Sequence, residues 1–100
     1  MDDYGLKKYI LYSEKSILSK EILKNEKSDI TLFCMAKGTD ISEHTSTKQG
    51  FVYVVEGKGV FILEGKDIIM EAGVFIPMEK SMAHSLKAEE NTSFLLVLFS

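Results

Sequence analysis

The stretch from Gly38 to Gly57 leaves the chain few choices. Glycines bracket it, His44 and Ser46 lie near its start, and Phe51-Val-Tyr-Val-Val55 runs through its second half. Five consecutive β-branched or aromatic residues favour a strand, because such side chains pack well on a pleated surface and crowd a helix. The flanking glycines mark turns. The stretch therefore predicts a strand pair with a histidine at its mouth.

The same punctuation continues along the chain. Residues 16–23, 30–37, 43–47, 51–55, 60–63, 68–70, 74–76, 83–87 and 93–99 read as short strands, each followed by a turn signal. Pro77 ends its strand or lies on a sheet edge. Strand alternation puts Thr45 and Thr47 on one face and His44 and Ser46 on the other. Tyr53 has the parity opposite to His44, which assigns it to an outer face. Residues 1–14 read as a helical turn or irregular cover, with an edge strand as the alternative over 9–12. The pattern is all-β, a sandwich or small barrel of two antiparallel sheets. One hundred residues allow one domain, 1–100, divided into a cover segment at 1–15 and a barrel at 16–99.

Several runs, among them 30–36, 51–55 and 94–99, are apolar on both faces. One face fills a barrel and the other needs cover, so a homodimer packed through an outer sheet face is expected. The longest apolar run, 94–99, is far shorter than a membrane span. No secretion signal is visible, which makes a cytoplasmic protein the expectation. Net charge is −3 without a basic block, which argues against a nucleic-acid partner. All twelve basic residues are lysine, so no guanidinium fork is present to hold a carboxylate or phosphate. Cys34, the single cysteine, lies in an apolar run and reads as a buried small hydrophobe; the competing reading is a thiolate facing the histidines.

Gly38, His44 and Glu56-Gly57 together resemble the first motif of the cupin superfamily, and Gly73 to Pro77 with His84 resembles its second. Fifteen residues separate the two, a short spacing like that of small single-domain microbial cupins. The resemblance implies a jelly-roll barrel (a double-stranded β-helix), dimeric, with a cavity that often holds one divalent metal. Carried over position by position, His44 and His84 occupy metal-ligand slots. Ser46 stands where a second histidine is usual, and Gly50 stands in the glutamate slot, with Gln49 just before it. Both histidines of the chain thus fall in ligand slots, working together from across the barrel.

Two histidines are fewer than the three or four protein ligands of ordinary zinc sites. Candidates for a third are Gln49, Glu79, Cys34 and Glu43. An imidazole pair does not choose between Zn, Fe, Mn, Ni and Cu. The expected cavity residues are His44, Ser46, Gln49 and His84, with Met70, Met78 and Met82 as adaptable lining or ordinary packing. Three functions compete: a cupin that binds a small molecule, with or without a divalent metal; a metal-dependent enzyme of dioxygenase or isomerase type; and a structural homodimer with a vestigial cavity.

Overall fold

A computed structural model describes residues 4–100; residues 1–3, the first part of the expected cover segment, lie outside the described residues. A short 3-10 turn, Leu6–Tyr9, precedes nine strands: β1 (Ile17–Lys24), β2 (Ser28–Met35), β3 (Asp40–His44), β4 (Gln49–Glu56), β5 (Gly59–Leu63), β6 (Lys66–Met70), β7 (Phe75–Met78), β8 (His84–Ala88) and β9 (Thr92–Phe99). They form two antiparallel sheets, one of order β1-β2-β9-β4-β7 and one of order β3-β8-β5-β6. Among the described residues no helix is long and apolar enough to cross a membrane.

The registers explain how one sequence fills two layers. In the five-stranded sheet, Phe33, Phe94 and Val54 lie side by side across β2, β9 and β4, facing the second sheet. Their sequence neighbours face the other way, and two rows of them run across the outer surface. One is Leu23-Ile30-Val97-Phe51-Pro77; the next is Lys20-Leu32-Leu95-Tyr53-Phe75. Runs that are apolar at every position therefore serve both faces. Met35, Val52, Val54, Phe61, Met70, Ile76, Leu86 and Phe94 form the buried core between the sheets.

Local chemistry sets the edges of the elements. The β5–β6 hairpin turns on Glu64 and Gly65 alone, with φ of 49° and 80°. Positive φ at both central residues matches the twist of flanking strands, and glycine carries it without steric cost. The turn is therefore two residues long, and Lys66 and Asp67 belong to β6 rather than to a loop. Pro77 lies inside β7, the edge strand of its sheet, where a missing N–H costs no central ladder bond.

The segment before β1 folds back over the outer face. Tyr9, Ile10 and Leu11 line a groove with Leu18, Leu32 and Cys34. Tyr12 donates from its hydroxyl to Glu56 Oε2 at 2.9 Å. Burial is the main reason its phenol is pushed up to about 12, with the Glu56 carboxylate adding to the effect.

Candidate functional site

Both histidines lie at one mouth of the barrel, on neighbouring strands. His44, the last residue of β3, is the register partner of His84, the first residue of β8. The pair is thus side by side in one sheet, where the sequence suggested opposite walls. A register shift brings this about. Ile41 pairs with Leu86 and His44 with His84, so β3 spends one more residue than β8 over the same span. Such a bulge resets the alternation, and Ile41 and His44 line the same cavity despite opposite parity.

The expected strand at 43–47 is accordingly displaced to Asp40–His44. Ser46 falls in the turn that follows. Its hydroxyl accepts from the Lys48 N–H at 3.1 Å, and its carbonyl accepts from the Ser81 N–H at 2.8 Å. The start of β8 is tied down on the other side. Ala83 donates to Glu64 Oε2 at 2.7 Å, and Glu64 N–H donates to the Ala83 carbonyl at 2.8 Å.

The rings are fixed by their own backbone. His44 Nδ1 lies 2.8 Å from the Ser42 carbonyl, and His84 Nδ1 lies 3.0 Å from the Met82 carbonyl. A carbonyl only accepts, so in the neutral rings the proton is on Nδ1 and the lone pair on Nε2. Neither Nε2 has a hydrogen-bond partner among the described residues. The rings meet edge to face with centroids 4.1 Å apart, and Phe61 stacks parallel to His84 at 5.8 Å. His84 is 6% exposed, whereas His44 is exposed. Burial holds the His84 pKa below its ordinary value; the Met82 carbonyl works against this, and the nearby His44 adds to it. His84 is therefore a neutral base at neutral pH.

The two imidazoles open onto a cavity of about 130 Å³ between the sheets. Phe33, Phe61 and Phe94 supply three aromatic walls. Ile41, Val52, Met78, Leu86 and Leu96 complete an apolar lining in which the histidines are the polar groups.

The other expected site residues go elsewhere. Gln49 opens β4 opposite Phe99, with no bulge to turn it inward, and borders a surface groove with Glu79 and Met82. Glu43 is exposed. Cys34 is buried beneath the N-terminal segment on the outer face, so its thiol does not face the histidines. Met78 lines the cavity and Met70 belongs to the core. The aromatic walls were the part sequence reasoning passed over. Phe33, Phe61 and Phe94 lie in apolar runs, where no alternation with polar residues marks the inward face; the strand registers decide it.

These donors test the metal that the fold suggests. Anchoring Nδ1–H on a carbonyl while Nε2 stays free suits a metal-binding histidine. The number of donors does not suit a firmly held ion. Among the described residues no group of three or more His, Cys, Asp or Glu converges. At Gly50, the position of the family's carboxylate, an added Cβ would come within 1.8 Å of the Val97 carbonyl oxygen. The backbone of β9 thus occupies the space into which a side chain would project.

A small two-sheet barrel with histidines at its mouth defines a recognised class. A cupin domain model matches residues 31–99, and the chain belongs to the cupin family. No curated protein matches the sequence. Among solved structures, a conserved protein of unknown function from Streptococcus pyogenes superposes with a TM-score of 0.91 at 23% identity, covering 99% of this chain and 87% of that one. A cupin 2 conserved barrel domain protein from Leptotrichia buccalis gives 0.91 at 26% identity, covering 97% and 47%. A salicylate 1,2-dioxygenase from Pseudoaminobacter salicylatoxidans gives 0.78 at 14% identity, covering 83% and 26%. Similarity of this kind extends over proteins of unknown function and an enzyme alike, and at such identities it concerns the fold.

Proposed function

We propose that the protein is a small-molecule-binding cupin whose cavity recognises its ligand through His44 and His84. The observation that carries this reading is the pair of carbonyl-anchored rings. Each keeps an unpartnered Nε2 acceptor at the mouth of an otherwise apolar cavity. Both nitrogens reach solvent, so a bound donor takes the place of water at the edge of an apolar cavity, where a hydrogen bond is stronger than in bulk water. Native mass spectrometry of freshly purified protein, followed by extraction of the cavity contents, tests the reading. A stoichiometric small molecule that a His44→Ala/His84→Ala variant no longer carries supports it. Wild type and variant carrying identical contents would count against it.

The anchored Nδ1–H groups also favour a second reading, in which the pair supplies two ligands of a divalent ion and a substrate fills other positions, as in a metal-dependent enzyme. Elemental analysis of protein purified without chelators separates the two. Stoichiometric metal lost in the double variant supports the enzyme. Metal-free protein whose melting temperature is unmoved by divalent ions contradicts it, because a ligand bound only to the native state raises stability.

The reading includes a homodimer formed through the outer face of the five-stranded sheet. Leu23, Tyr53 and Phe75 are 50%, 40% and 55% exposed there, in two largely apolar rows of which the N-terminal segment meets the Lys20 and Leu32 end. Light scattering at micromolar concentration should find a dimer for the wild type and a monomer for Phe75→Lys. A monomeric wild type would remove this part. A cytoplasmic location also belongs to the reading and is testable by cell fractionation.

A further inference from the structure

We infer that the cavity takes a neutral, single-ring aromatic molecule bearing a hydroxyl donor, the phenol class, rather than an organic acid. The inference rests on the small-molecule reading above and names the chemistry of the ligand.

Size comes first. The cavity measures about 130 Å³. Apolar cavities of ~150 Å³ lined by Leu, Ile and Phe hold benzene. The enclosed part of the site therefore matches one six-membered ring, and anything larger extends out through the mouth.

Shape comes next. Phe33 and Phe94 lie nearly parallel, with centroids 5.2 Å apart and planes 12° apart, and Phe61 lies parallel to the His84 ring at 4°. Each pair is stacked on itself, and an aromatic lining of this kind offers a ring ligand edge-to-face or offset-stacked contacts that add to the gain from burial.

Polarity decides the substituent. Among the described residues, the only polar side chains that line the cavity are His44 and His84. With Nδ1 held on a carbonyl, each ring in its neutral form presents Nε2 to the ligand as an acceptor and has no further N–H to offer. A phenolic O–H donates to such a nitrogen. A carboxylate has no O–H to donate and would face two lone pairs. No lysine lines the cavity, and the chain has no arginine to compensate a buried anion. A ring without a donor would fit, but it would leave both acceptors unmet.

The test is an NMR titration of the full chain with phenol, benzene and benzoate, deriving each Kd from the ring signals of Phe33, Phe61 and Phe94 in wild type and variant, and following the histidine ring signals in the wild type. Phenol should bind about tenfold more tightly than benzene, the difference expected for a hydrogen bond that would otherwise be missing. Benzoate should bind at least about tenfold more weakly than phenol. In a His44→Leu/His84→Leu variant the phenol advantage should vanish while benzene affinity is kept, which also reports that the variant cavity is folded. Benzene equal to phenol in the wild type, benzoate bound most tightly, or a phenol advantage that survives the double substitution would each overturn the ligand class. The cavity-binding reading would stand in those cases, since the ring signals would still move. If no probe moves the histidine signals, both fall together.

Discussion

Two strand pairs flank the cavity mouth, and they treat the family's ligand positions in opposite ways. On β3 and β8 both histidines are kept, aligned as register partners and anchored by the carbonyls of Ser42 and Met82. On β4 and β9, where a carboxylate would complete a ligand set, Gly50 faces the Val97 carbonyl with no room for a Cβ. One side of the mouth presents two imidazoles, and the other presents close backbone packing. The site is a half-site by construction, which restoring one side chain would not repair.

The sharpest way to break that comparison is to refill the lost position. Gly50→Glu should cost at least ~3 kcal/mol in chemical denaturation without creating a metal site, because overpacking against fixed backbone is strongly unfavourable. Gly50→Ala should cost nearly as much, since Cβ alone collides. A stable Gly50→Glu protein with stoichiometric metal would show that the slot is open.

The next largest effect belongs to the buried histidine. His84→Ala should cost about 2 kcal/mol, since it removes a ring stacked on Phe61 and enlarges a cavity that already exists. A neutral buried imidazole also imposes a pH dependence. The folded pKa is lowered, so the unfolded chain takes up the proton first as pH falls. The stability contributed by His84 should be constant above the ordinary histidine value of 6.5. It should decline below that value and level off once the folded ring also protonates. Denaturation midpoints measured in that window should lose this component of their pH dependence in His84→Ala.

The smallest effect is expected at His44, whose ring is exposed. His44→Ala should change stability by less than about 0.5 kcal/mol while weakening whatever binds the pair. A large stability loss would mean that this side of the mouth is structural rather than chemical.

Much of this fold was legible because its signals are local. The run Phe51 to Val55, the glycine turns and the doubly apolar strand 93–99 each declare themselves within a few residues. The two motifs fixed which histidines to watch. What remained hidden depends on pairing between distant segments. Nothing near residue 42 announces that β3 will bulge against β8, so strict alternation placed Ser46 beside His44, and the motif slot brought Gln49 to the cavity only by way of a bulge that β4 does not make there. The adjacency of His44 and His84 follows from a strand pairing 40 residues apart in sequence. That Gly50 is a closed slot follows from the register of β4 on β9, which no spacing rule encodes.

The central claim concerns one proton on each ring, and it can be read directly. Long-range nitrogen–proton correlation spectra of the two histidines at neutral pH report which nitrogen is protonated. His84 should be neutral, and in the neutral form of each ring the proton should be on Nδ1, with Nε2 unprotonated and responsive to a donor ligand. A neutral ring protonated at Nε2, or an imidazolium at His84, would contradict the account.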